Sequence, residues 1–378
     1  MKNRRLAVAA ALATAAALLV VSAAAAGGNE RHAGRDGDAV FVQTNGLAGN
    51  QVVVYDRADD GTLTSAGTYA TGGNGGAALP GTESDRLASQ GSLAYDPFHR
   101  ILIAVNAGSD TVSAFRVRGD ELELTTVLPS GGSFPNSVAV HDGLAYVLNA
   151  GGAGSVQGFR ITGHGLVSIP GSTRSLGLAN TTPPNFLTAP GQVGFTPDGS
   201  QLIVTTKAST SSYEVFAVGP DGRLSAAPVV TPSATPVPFA FTFGPGGRLV
   251  AGEAGASSVT TYEIGPSGAL SDPKSKSDGQ VALCWIQRVG PYYFVSNTGS
   301  NTLSSFTIEG GQPTLLQAVA ATTGPGPIDL TSPKGTRFLY AETGSGTVEE
   351  YAVDGDGTLT SLGVVTGLPA GIEGIAST

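Results

Sequence analysis

The sequence is short of the residues that usually carry chemistry. It has a single cysteine, Cys284, a single tryptophan, Trp285, and four histidines: His32, His99, His141 and His164. One cysteine excludes an internal disulfide, so a chain stabilised outside the cell would have to rely on its core. Histidines so dispersed give no Cys/His metal-ligand spacing, and neither a metal nor a cofactor is expected. No Gly-x-Ser-x-Gly elbow occurs, nor a glycine-rich phosphate loop between a strand and a helix. Charge is sparse and acidic, with 20 Lys+Arg against 29 Asp+Glu. Without Lys2, Arg4 and Arg5 of the leader the balance is −12, which disfavours nucleic acid or an anionic membrane as a partner.

Only one long apolar run is present. Lys2, Arg4 and Arg5 precede an uncharged stretch, 6–26, that ends in small residues. This is the pattern of a secretory signal peptide cut near Ala26. The alternative is an uncleaved anchor, since the run is long enough to span a bilayer. With cleavage the mature chain is secreted or extracytoplasmic and has no membrane partner. Residues 27–38 are polar and aperiodic, a disordered lead-in, and 39–378 form the folded domain.

What the chain has in abundance is glycine, 55 residues, placed with a period. An aromatic recurs at Tyr55, Phe115, Phe159, Phe216, Tyr262, Phe306 and Tyr351, at steps of 60, 44, 57, 46, 44 and 45 residues. Each closes an alternating run and is followed by a Gly-rich turn and a leucine, as in 112–124 (VSAFRVRGDELEL) and 346–359 (GTVEEYAVDGDGTL). A period near 45 with strand alternation reads as an all-β, seven-bladed β-propeller of four-stranded blades. Turn chemistry accounts for RGD at 118–120 and DGDG at 354–357. The first repeat lacks its inner strand and the C-terminus, 371–378, supplies one, so the two ends should close the disc within one blade. A closed disc has no long free edge, which favours a monomer.

The excess in the two long steps falls in 70–90 and 171–190, both between the outer strand of one blade and the inner strand of the next. In a propeller such connections share one face. Long insertions in a compact repeat are often functional.

Two sets of residues are aligned on the channel. At the end of the second strand stand Asn45, Asn106, Asn149, Lys207, Glu253, Asn297 and Glu342; from the innermost strand come Ser92, Ser137, Gln192, Ala240, Trp285, Asp329 and Glu373. The asparagines also read as strand caps, and the charged members as salt bridges of a wet channel. Trp285 reads as a pocket floor or as a blade-packing aromatic, and Cys284 as a small buried residue.

The repeats, with their PDG and PKG turns in 194–207 (GFTPDGSQLIVTTK) and 330–344 (LTSPKGTRFLYAETG), resemble the propeller lactonases, which include 6-phosphogluconolactonase-like and carboxymuconate-cyclase-like proteins. The resemblance spans about 39–378. It implies opening or closing of a lactone ring by a channel His, Arg and carboxylate. Here Ser137, Gln192 and Asp329 stand where a histidine is expected. A lactonase built from this chain would use Glu253 or Glu342 to activate water and Lys207 to hold the oxyanion. Asn106, Asn149, Gln192, Trp285, Asn297, Asp329 and Glu373 would line the site, with Arg86 and Arg174 reaching in from the insertions. The second reading is a non-catalytic extracytoplasmic module that binds a small polar ligand or a protein on the insertion face, through exposed Leu87, Leu176, Leu178 and Phe186.

Overall fold

A computed structural model describes residues 38–80 and 84–378. The leader 1–26, and the lead-in as far as 37, lie outside the described residues. Seven antiparallel sheets, each four strands across, surround a common axis, and the third carries one extra short strand. The strands of each blade are lettered a to d from the axis outward. From blade 1 to blade 7 the a strands are Ile375–Ser377, Leu93–Asp96, Pro135–His141, Gln192–Phe195, Pro238–Phe243, Leu283–Val289 and Pro327–Thr331.

Ring closure is as the sequence implies. Strand a of blade 1 comes from the C-terminus and pairs with strand b of that blade, Ala39–Gln43, in the register Val40 to Ser377, Phe41 to Ala376 and Val42 to Ile375. The repeating aromatics lie on strand c, and all seven are at most 4% exposed. Each is wedged between sheets, where truncation to alanine costs about 3–5 kcal/mol.

One outer strand departs from the pattern of the other blades. In blade 4 the chain makes only an isolated bridge, Val218 to Leu224, and then forms strand d at Val229–Pro232. The start of a proline-rich stretch, 230–239 (VTPSATPVPF), which leads on to blade 5, is thus part of the sheet. Pro232 is tolerated there because the outermost strand has a free side that needs no N–H donor.

The two insertions rise on one face and meet. Leu79 donates its N–H to the Pro184 carbonyl at 2.8 Å and accepts from the N–H of Phe186 at 2.8 Å. Leu87, Leu176 and Leu178, expected as exposed partner-binding residues, are at most 8% exposed. They are the apolar anchors that pin the loops to the disc, because burying an isoleucine- or leucine-sized side chain is worth about 1.5–3 kcal/mol.

Candidate functional site in the channel

The end of the first insertion, residues 85–91, does not stay on the surface. It turns into the channel and forms a septum across it. Irregular backbone can be buried only if its polar groups find partners, and here the a strands of the blades and the residues leading into them provide them. The Leu87 N–H donates to Glu373 Oε2 at 2.6 Å, and the Gly91 N–H to Asp329 Oδ2 at 3.0 Å. Trp285 Nε1 donates to the Ser89 carbonyl at 2.8 Å and Ser137 Oγ to the Gln90 carbonyl at 2.7 Å. Gln90 reaches the far wall: its Nε2 donates to the Ile286 carbonyl and its Oε1 accepts the Ile286 N–H at 3.0 Å.

The septum divides the channel. On the side of the a–b turns lies a pocket of about 360 Å³ of mixed character, whose polar lining includes Gln90, Gln192, Gln287, Asp329 and Lys334. On the insertion side lies a pocket of about 430 Å³, walled by Phe186, Leu187, Val237, Phe239, Ala282 and Trp285. Its charged lining groups are Asp85 and Lys207.

Lys207 is 1% exposed. Its Nζ donates to the carbonyls of Ala88 at 2.7 Å and Phe186 at 2.6 Å, and lies 5.1 Å and 4.9 Å from the ring centroids of Phe186 and Phe239. Burial pulls its pKa down to about 8, with the charges of Asp85, Cys284 and Glu373 opposing the shift. Its φ is +45°, a left-handed conformation disfavoured for a side chain with a Cβ.

Behind the pocket stand buried carboxyl groups. Asp85 Oδ1 accepts the Ala88 N–H at 2.7 Å, which closes a tight turn in the septum. Burial raises the Asp85 pKa, while a hydrogen bond with Glu373 and the charge of Lys207 lower it. Burial, then the charge of Asp85, hold Glu373 well above the usual carboxyl range. The pair therefore shares a proton that rests on Glu373, the member farther from the cation's influence. Glu342 Oε1 accepts the Gly374 N–H at 2.6 Å, and burial, then the charge of Asp329, push its pKa well up. Asp329 is raised to about 7, chiefly by burial.

Strand pairing separates residues that the sequence aligned as one ring. Asn106, Asn149, Glu253 and Asn297 each lie opposite the first residue of strand c: Thr111, Ser155, Ser258 and Thr302. In blade 7 that position is Thr343, opposite Thr347, so Glu342 comes one residue earlier. In blade 4 Thr205 lies opposite Tyr213, and Lys207 comes two residues after Thr205. In blade 1 Gln43 lies opposite Val52, and Asn45 likewise lies past the pairing. A one-residue shift turns a side chain to the other face of the sheet.

The consequences are plain for Glu253. Its Oε1 accepts hydroxyls from Tyr213, Ser233 and Tyr262, and its Oε2 accepts Thr235 and Thr260, both at 2.5 Å. All five donors belong to blades 4 and 5 or the connection between them, and Glu253 does not line the pocket. Asn106 is likewise spent between blades, accepting from Asn50 and Thr71 and donating to Thr111 and Ser113. Asn149 donates to the Ser130 carbonyl, and Asn297 to Thr302 and Ser304. Gln192 bridges to the main chain of Phe241 in the next blade. Arg174 faces away from the channel and donates to the carbonyls of Gly171, Thr173, Leu224 and Ser225. Arg86 packs its guanidinium where a Cβ on Gly371 would stand.

The structure therefore brings together Lys207, Trp285, Asp329, Glu342 and Glu373, and leaves Glu253, Asn106, Asn149, Asn297 and Arg174 in the walls. Asp85 was absent from the sequence candidates. The one available signal was its place among the few charged residues of the first insertion.

A closed disc of seven antiparallel blades with a ligand-sized pocket at one end of its channel defines a propeller with a channel-mouth site. The chain belongs to the family of seven-bladed β-propeller lactonases, whose model matches residues 8–287. None of the curated proteins matches the sequence. Among solved structures it is similar to a candidate 6-phosphogluconolactonase from Bacteroides uniformis, at 18% identity, covering 91% of this chain and 100% of that one with a TM-score of 0.72. It is also similar to the periplasmic gluconolactonase of Pseudomonas aeruginosa, at 18% identity over 90% and 99% of the two chains with a TM-score of 0.69. A Lactobacillus plantarum protein is 21% identical over 90% and 99%, with a TM-score of 0.72. At such identities the likeness is one of fold.

Proposed function

We propose that the protein hydrolyses a small lactone in the insertion-side pocket, with Lys207 as the oxyanion donor and Asp85 as the base. The observation that supports this most is Lys207 itself: a buried cation at the base of an apolar pocket, held in a conformation that a glycine would adopt at lower cost. Two of its protons are bound by carbonyls, which leaves the third for the ring carbonyl of a substrate. The ionised Asp85 takes a proton from water as the water oxygen attacks the carbonyl carbon. The developing oxyanion is held by the Lys207 ammonium in a desolvated site, where such a contact is strongest. Collapse of the tetrahedral species breaks the ring C–O bond, the alkoxide recovers the proton from Asp85, and the product is a hydroxy acid.

Asp85 is also tethered to the Ala88 N–H and to Glu373, and that restraint favours the second reading, a module that binds without turnover. The N-terminal leader pattern supports an extracytoplasmic location; no helix of the described residues is long and apolar enough to cross a membrane. The deciding experiment is pH-stat hydrolysis of a lactone panel by the mature chain beside Lys207→Met and Asp85→Asn. Turnover that falls about 100-fold or more in both variants supports the assignment. Turnover equal in all three proteins would sink it.

A further inference from the structure

We propose that the pocket accepts an uncharged lactone bearing an alkyl side chain, and excludes sugar lactones and their phosphates; this rests on the lactonase reading of the same site. A phosphate or a polyhydroxylated ring needs several donors and acceptors to replace the water it gives up. The pocket has few to offer. The main-chain N–H groups of Phe186, Leu187, Ala254, Gly255, Thr298 and Gly299 are already committed, to the carbonyls of Leu79, Val237, Pro236, Ala282 and Val281 and, for Leu187, to Asn185 Oδ1. No α-helix is present among the described residues to present an N-terminus to an anion.

The electrostatics point the same way. Lys207 is a single cation with two carbonyl acceptors bound, and the Asp85–Glu373 pair stands behind it. One ammonium can polarise one ring carbonyl; it cannot also neutralise a phosphate beside the charge of Asp85. The walls and the mouth are apolar. Phe239 and Trp285 pack with ring centroids 4.7 Å apart. Leu187, in the wall, is 60% exposed, and Val281, whose side chain abuts Gly299 of the lining, is also 60% exposed. An alkyl chain leaving a ring held at Lys207 would cover both.

Trp285 is the only tryptophan in the chain and lines the pocket, so its fluorescence reports occupancy without reference to turnover. The intact mature protein is titrated with δ-decanolactone, glucono-δ-lactone and its 6-phosphate, and each ligand is also assayed by pH-stat. The expected result is saturable quenching by δ-decanolactone at least about tenfold tighter than by either sugar lactone, weakened about tenfold in Leu187→Glu with the melting temperature unchanged. Equal or tighter binding of a sugar lactone overturns the inference, as does no quenching by the alkyl lactone. Saturable binding of δ-decanolactone without turnover supports the ligand class while refuting hydrolysis. Turnover of gluconolactone without binding of the alkyl lactone does the reverse.

Discussion

Two buried regions of this disc hold carboxyl groups in opposite ways. Between blades 4 and 5, Glu253 is surrounded by five hydroxyl donors, two on tyrosines and three on serine or threonine. In the channel, Asp85, Asp329, Glu342 and Glu373 have few donors. Glu342 Oε2 has no hydrogen-bond partner among the described residues. Glu342 and Glu373 are held in their protonated range by burial and by the charge of neighbouring aspartates. Burial alone therefore does not mark a reactive group. A carboxylate whose lone pairs are filled is part of the scaffold, whereas under-solvated acids facing one cation can move protons.

The harshest way to break the comparison is to remove residues 369–378. That deletes Glu373 from the channel together with Ile372 and Ile375, both at most 4% exposed, and leaves the Glu253 cage intact. Losing two buried isoleucines and the closing strand should cost more than about 5 kcal/mol, read as loss of cooperative urea unfolding.

Next comes a pair of point variants with opposite readouts. Lys207→Met should lower kcat on the proposed lactone about 100- to 1,000-fold. Glu253→Gln should leave kcat within a few-fold but lower unfolding free energy by about 1–3 kcal/mol, since hydroxyl donors lose acceptors. Steady-state kinetics and denaturant titration on both proteins test the split; a kcat defect in Glu253→Gln would erase the distinction between the regions.

A subtler test is the pH profile. With Lys207 at about 8, enzymatic turnover, corrected for spontaneous hydrolysis, should fall as pH rises through that value, because the neutral amine no longer stabilises an oxyanion. Lys207→Arg should remove that alkaline limb whatever it does to the maximum rate, since guanidinium stays charged.

The smallest effect concerns Glu342. The folded state holds its proton above the ordinary value of 4.5, so the folded state binds more protons than the unfolded one in that window. Stability must then decline as pH rises through it. Glu342→Gln should flatten the decline on the alkaline side of the ordinary carboxyl range, measured as melting temperature against pH.

The fold was legible because strand c places an aromatic at one position in every blade, and that position is buried by the same geometry seven times. Closure was legible because one repeat lacked what the C-terminus supplied. The candidate site was legible in part: Trp285, Asp329 and Glu373 came from the innermost-strand alignment, which reached them although the a–b register shifts between Leu283 and Trp285 and between Pro327 and Leu330, and Glu373 precedes its strand. Lys207 and Glu342 were found through a misaligned ring, since a one-residue difference in where strand b ends is invisible in a spacing. Asp85 was missed because no periodicity governs an insertion, and its burial depends on a chain path that only tertiary contacts set.

One consequence of the Gln90–Ile286 contact concerns how the molecule comes apart. A ring of repeats is nearly a one-dimensional system in which each unit senses only its neighbours, so it can fray one unit at a time. Gln90 is bonded through both ends of its amide to a residue 196 positions away on the far side of the ring. That contact acts as a spoke: blades that share no border become direct thermodynamic partners, and the wheel should yield as a whole rather than unwind from its seam.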